Sequence, residues 1–203
     1  MSFSISLLQE LLQELSGVLP ADTAPLFAIT RMVKLEEGEA YIREGELTRK
    51  LAYIEKGIIR AYAEKSSGDD GTLFLRWEGQ LIASHDGIIQ RQPSRFIYRA
   101  LEPVTMLEID YDKLEEVLKV HPEFEPLRNY FLMKMLGEAL EGLEGFVFLT
   151  PEERYLRLLD SKWGVVNRVP DKYIASMLGV TPVSLSRIRK RLHARGRKNE
   201  AGN

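Results

Sequence analysis

The sequence predicts an α+β chain: a strand-rich antiparallel domain, then one long helix, then a compact basic helical module. Three observations carry that expectation. Short runs rich in β-branched and aromatic residues fill the region from about Ile29 to Ile109 and give way to helical spacing after Asp110. The charge changes sign along the chain: of 28 Lys and Arg and 30 Asp and Glu, 12 and 5 fall in residues 151–203, leaving 16 and 25 before Pro151. The formal net charge of −2 is therefore −9 on residues 1–150 and +7 on residues 151–203. Finally, a helix-turn-helix spacing lies inside the basic segment.

The 203 residues suffice for one large or two small cores. With no Cys, the chain has no disulfide, thiolate zinc site, iron–sulfur cluster or cysteine nucleophile, and three His argue against a multi-histidine metal centre. No apolar run reaches the length of a membrane span and no basic leader precedes Phe3, so a soluble, cytoplasmic protein is expected.

Ile5, Leu8, Leu11, Leu12 and Leu15 recur at helical spacing, and Ser16-Gly17 with Pro20 stops that helix. Seven strands are expected next: Arg31–Leu35, Ala40–Arg43, Leu51–Glu55, Ile58–Glu64, Thr72–Trp77, Arg95–Leu101 and Thr105–Ile109, with a hairpin loop at Ser66–Gly71. Many short strands with regular turn signals indicate an antiparallel barrel or jelly roll. Asp112–Val120 reads as a helix ended by His121-Pro122. From Phe124, the residues Leu127, Phe131, Leu132, Met135, Leu136, Ala139, Leu140 and Leu143 form a stripe too wide for one contact, suited to the roll on one side and a second subunit on the other. An ordinary core helix is the alternative. Gly142 and Gly145 mark an expected hinge. The expected domains are 1–122, 123–146 and 147–203.

Thr150, Pro151 and Glu153 combine an N-cap, a first-turn proline and a capping box, opening a helix to about Lys162. Gly164–Val169 reads as an extended connector, and Pro170-Asp171 opens the next helix. There the small Ala175 is followed by Gly179 after 4 residues, Leu185 after 10 and Ile188 after 13, with Thr181 as cap and Pro182 as helix start. A helix-turn-helix needs a small residue where its helices approach, a glycine in its turn and apolar pins on the second helix. If Leu185, Ile188 and Leu192 face inward, Val183, Ser186, Arg187 and Lys190 face outward, where Arg187 suits a guanine edge and Val183 a thymine methyl. Thr181, Ser184, Arg189 and Arg191 suit phosphates, and Pro182 starts the same surface. A merely solvated helix face usually mixes signs, whereas seven basic residues face one acidic residue after Gly179.

The order of parts, and the run Val169-Pro170-Asp171-Lys172-Tyr173-Ile174-Ala175-Ser176-Met177-Leu178-Gly179-Val180-Thr181-Pro182-Val183-Ser184-Leu185-Ser186-Arg187-Ile188-Arg189-Lys190, resemble the Crp/Fnr superfamily of bacterial transcription regulators over roughly residues 5–195. The resemblance implies a cyclic-nucleotide-binding-like β-roll, a dimerising long helix and a winged-helix-like module. It also implies double-stranded DNA, a second copy of the chain and RNA polymerase as partners; no enzymatic activity is expected, because the sequence offers no Gly-rich phosphate loop, metal-ligand spacing or carboxylate pair. By the same resemblance Arg187 matches the base-reading arginine and Ser184 the phosphate-contacting hydroxyl. Val183 and Pro182 stand where the best-known member has a glutamate and an arginine, so the operator should differ. The chain ends soon after the second helix, which leaves little room for a full wing.

On the ligand side, the stretch Leu81 to Arg95 has Pro93 at the family's phosphate-binding arginine and lacks its Gly-Glu pair. Losing that bidentate arginine argues against a cyclic nucleotide and leaves the effector unnamed. Ser84, His85, Arg91, Ser94 and Arg95 are the candidate ligand-binding residues. Ser84-His85-Asp86 does not make a hydrolase triad, because adjacent residues do not converge as nucleophile, base and acid. His85 is expected in a loop near the pocket, and Trp77 and Trp163 in a core or interface. A cyclic-nucleotide or small-metabolite sensor acting mainly through protein contacts is the alternative function, and an enzyme is the second.

Overall fold

A computed structural model describes residues 13, 15–64, 68–160 and 164–200, with side chains to Arg195. The expected N-terminal helix lies almost wholly outside them; its last apolar residue, Leu15, is buried against α2 and α3 defined below. Trp163 and the start of the Ser66–Gly71 loop also lie outside.

A short helix α1 (Ala24–Ala28) leads into eight strands: β1 (Thr30–Leu35), β2 (Ala40–Ile42), β3 (Lys50–Lys56), β4 (Ile59–Glu64), β5 (Asp70–Arg76), β6 (Leu81–Ala83), β7 (Ile97–Ala100) and β8 (Val104–Asp110). All seven expected strands are present; β6 is additional. Three residues, all buried, are too few to show the alternation by which strands are read from sequence. The strands form two antiparallel sheets, β1-β8-β3-β6 and β2-β7-β4-β5, closing a roll. Its interior holds Ile42, Ile54, Ile59, Ile82, Tyr98 and Met106. Strand β8 shows why the register is fixed. Val104, Met106 and Glu108 point inward while Thr105, Leu107 and Ile109 alternate outward, so a one-residue slip would reverse its faces. Arg31 on β1, directly opposite Glu108, pairs with that buried carboxylate.

After the roll come α2 (Tyr111–Val120) and α3 (Glu125–Phe148). The Asp110 carboxylate caps α2 by accepting from the Asp112 and Lys113 amides. α3 turns Leu127, Phe131 and Met135 towards Leu51, Tyr53 and Leu81 on the outer face of the first sheet and the apolar side of α2. α3 runs unbroken through Gly142 and Gly145 to Phe148, and the chain becomes extended at Leu149; Gly145 is buried and its carbonyl accepts from Arg154.

The module consists of α4 (Pro151–Leu159), a 3₁₀ turn at Val165–Asn167, α5 (Asp171–Met177) and α6 (Pro182–Glu200). The 164–169 connector is therefore a turn, not an extended segment. Its valines look strand-forming, but Val165, Val166 and Val169 are drawn into the module core beside Tyr155, Ile174, Leu178, Leu185 and Ile188. Among the described residues no strand follows β8, so the module shows no β-wing.

Candidate nucleic-acid interface

The module is assembled from its caps upward. Thr150 accepts from the Glu153 amide (3.3 Å), and the Glu153 carboxylate accepts from the Thr150 amide (2.8 Å), so the capping box starts α4 where the sequence places it. Arg154, one turn on, ties three segments together. It donates to the Leu149 carbonyl after α3 (2.6 Å) and the Leu178 carbonyl at the end of α5 (2.8 Å), and it lies over the Phe146 ring (4.6 Å). A fixed cation at two helix C-termini is favourable on dipole grounds and satisfies carbonyls that would otherwise lack partners.

Between α5 and α6 the backbone turns at Gly179, whose φ is +68°, and a Cβ there would lie 3.3 Å from the Phe146 ring. The end of α3 thus rests directly on the helix-turn-helix turn. Ala175, Leu185 and Ile188 are buried as their spacing requires, and Leu192 is partly so. Thr181 caps α6, accepting from the Ser184 amide (3.2 Å) and donating to its hydroxyl (3.1 Å).

The outer face holds most of the expected residues. Pro182, Val183, Ser186, Arg187 and Lys190 are exposed, Val183 to 61%. Among the described residues Arg187 and Lys190 form no ion pair. Two expected phosphate contacts are placed differently. Arg189 turns back into the module, donating to the Tyr155 hydroxyl (2.9 Å) and pairing with Asp171 (2.8 Å). On the helix, position 189 lies nearer the inward-facing stripe of Leu185, Ile188 and Leu192 than position 187 does, so its side chain leaves α6 beside Tyr155 rather than on the outer face. Arg191 is exposed but paired with Glu152.

The module is docked on the roll, a feature missed in the sequence. Arg60 of β4 is buried, with its guanidinium 4.2 Å from the Tyr62 ring and 3.8 Å from the Tyr173 ring of α5. It also donates to Thr72 (2.8 Å) and Asp70 (3.0 Å). The Thr72 amide donates to the Ser176 hydroxyl (2.9 Å). A second tie runs from Arg168 to Glu78 (2.6 Å) and Glu102. Burial pushes the Glu78 carboxyl up, but Arg168 and the Gly57 amide outweigh it and hold the group below its ordinary value. Ile58, Leu75 and Trp77 of the roll pack into the module core, an interface role for Trp77.

The expected ligand residues do not converge on one anion site. Arg95 donates through its guanidinium (2.8 Å) and its amide (2.8 Å) to Asp86, whose carboxylate these bonds hold below its usual range. Asp86 is itself buried, at 3% exposed, so the arginine that would meet a phosphate already holds an internal anion. Ser94 spends its hydroxyl on the Phe96 carbonyl (2.8 Å). Arg91 is 73% exposed and pairs with Glu115 at 4.0 Å. Ser84 is buried, with no hydrogen-bond partner on its hydroxyl among the described residues. His85, expected in a loop near the roll's pocket, instead heads the short helical turn Asp86–Gln90. Its Nδ1 lies 3.1 Å from the Tyr98 hydroxyl, burial and then Arg76 push its pKa down, and its ring lines an apolar cavity of about 50 Å³ with Leu51, Ile88, Phe131 and Met135. Asp86 is the residue that sequence reading missed; a carboxylate nine positions before an arginine carried no local signal.

Comparison with known proteins agrees with this architecture. Residues 32–121 match the cyclic nucleotide-binding domain family. Electron transport regulator A of Shewanella oneidensis is 24% identical over 182 residues, covering 83% of this chain and 71% of that protein. The fumarate and nitrate reduction regulatory protein of Vibrio cholerae is 25% identical over 175 residues, covering 79% and 68%. Among solved structures, FixK2 of Bradyrhizobium japonicum shares the fold with a TM-score of 0.69 at 18% identity, over 83% of this chain and 86% of that one. The c-di-GMP-responsive regulator CLP of Xanthomonas campestris does so with a TM-score of 0.65 at 19% identity, over 85% and 91%. The family match covers the roll and α2, whereas the regulators and solved structures align with most of the chain and share its fold from roll to helical module. The chain belongs to the Crp/Fnr superfamily of transcription regulators.

Proposed function

We propose that the protein is a homodimeric, sequence-specific DNA-binding transcription regulator whose recognition helix is α6. One observation carries this: α6 is pinned by Leu185 and Ile188 while Val183, Ser186, Arg187 and Lys190 stand outward from a segment of net charge +7. That stripe fits a major groove, with Arg187 donating to O6 and N7 of a guanine and Val183 near a thymine methyl. Thr181 and Ser184 lie at the N-terminal end of α6, where hydroxyls meet backbone phosphates.

Dimer formation is supported by α3. Met133, Leu136, Leu140, Leu143 and Val147 are all at least half exposed and follow one another at spacings of 3, 4, 3 and 4, the repeat of a coiled-coil seam. Two modules related by such a helix pair would meet half-sites about 34–36 Å apart. The roll is read as a sensor or scaffold that does not use a cyclic nucleotide, since the Arg95 guanidinium is already engaged by the buried Asp86 carboxylate. The exposed Arg187→Ala variant tests the recognition surface. It should weaken binding to the cognate duplex by ~1–3 kcal/mol and change binding to random duplex little. Equal losses on both would make Arg187 a phosphate contact and remove the base-reading assignment.

A further inference from the structure

Glu152, at the second position of α4, faces the C-terminal half of α6 and is mostly shielded, its side chain 16% exposed. Its carboxylate accepts from Arg191 twice, through Nε (3.0 Å) and Nη2 (2.8 Å), and from Arg195 through Nη1. Ser184, Arg187, Arg191 and Arg195 succeed one another every three or four residues, so they form one ridge along α6, lining a groove whose opposite wall is the N-terminal turn of α4. The ridge begins on the face assigned to DNA and ends in the grip of a carboxylate.

A carboxylate presents to a guanidinium the same two-oxygen, charge-assisted edge as a phosphate. We propose that Glu152 is an internal substitute for DNA phosphate: it occupies Arg191 and Arg195 and so lowers the sequence-independent affinity of the module. This rests on the DNA-binding reading and adds a residue that attenuates it. Sequence-independent binding comes almost entirely from phosphates neutralised by Lys and Arg. A duplex that engages Arg191 and Arg195 must take them from Glu152, exchanging one ion pair for another. Arg187, higher on the ridge and unpaired among the described residues, keeps its full capacity for base edges. A chain whose net positive charge lies in residues 151–203 thereby limits how strongly it is held by arbitrary DNA.

The test is binding of the full-length protein to a random-sequence duplex over a salt series, with Glu152→Gln, Arg191→Ala/Arg195→Ala and the triple variant. Glu152→Gln keeps the side-chain shape, and Glu152→Ala serves as a second removal of the carboxylate. Either should tighten binding several-fold, and the slope of log K against log salt should steepen by about 1–2, one increment of ~0.9 for each arginine freed. In the Arg191→Ala/Arg195→Ala background the gain should vanish. Unchanged or weaker binding by both carboxylate variants overturns the proposal. So does an equal gain in the double-alanine background, which would be a general effect of removing negative charge. Absence of salt-sensitive binding by the parent protein overturns the DNA-binding reading as well, so the two failures are distinguishable.

Discussion

Gly179 and Gly142 are both glycines of the C-terminal half, yet replacing each by alanine should move stability in opposite directions. At Gly179 the backbone sits at φ +68°, in the left-handed region, and the new Cβ would stand 3.3 Å from Cε1 of Phe146. The backbone cost for an L-residue there is ~1–2 kcal/mol. The contact adds little, because Phe146 is 53% exposed and its ring has room to yield. For a chain of this size ~1–2 kcal/mol corresponds to a fall in Tm of ~2–8 °C. Gly142 lies inside α3, with nothing within 4 Å of a new Cβ. There alanine should gain up to about 1 kcal/mol, the helix-interior difference between the two residues. Reversible thermal unfolding followed by circular dichroism reads both, and Gly179→Asn, which tolerates the left-handed region, should fall between wild type and Gly179→Ala. A neutral Gly179→Ala would refute the turn geometry. A destabilising Gly142→Ala would refute the continuous helix.

Two further outcomes follow from the interfaces. Glu78 is held below its ordinary value in the folded state, so its contribution is complete above the unfolded-state pKa and is lost as pH falls through the lower folded value. The stability advantage of wild type over Glu78→Gln should therefore be present at pH 7 and shrink below about pH 4, measured by urea unfolding; an advantage that grows on acidification would contradict the Arg168 tie. Leu136→Glu/Leu140→Glu should give a monomer at micromolar concentration by sedimentation with helix content retained, whereas a monomeric wild type would remove the dimer.

Legibility of the fold followed how local its causes were. Strands long enough to alternate, such as Val104–Asp110, and helix ends with capping chemistry, such as Thr150-Pro151 with Glu153, could be read directly because the deciding residues are neighbours in sequence. β6, three residues buried on both sides, offered no period, and the valines of 164–169 were misread because their burial depends on α4 and α6. The outward stripe of α6 was legible for the same reason as its core, since one helical period sets both. Arg189 and Arg191 were not, because Tyr155, Asp171 and Glu152 are distant in sequence and only the folded module aims them. The docking of Tyr173 on Arg60 and the Asp86–Arg95 pair likewise depend on tertiary placement, for which the sequence carries no periodic mark.

The central claim is that α6 reads base sequence as part of a two-fold assembly. Selection of bound duplexes from a random-sequence library tests it most directly. The protein should enrich a near-palindromic motif with two half-sites about one helical turn apart, and Arg187→Ala should relax the preference at one symmetric pair of guanines. Recovery of duplexes with no common motif, bound through salt-sensitive contacts alone, would contradict it.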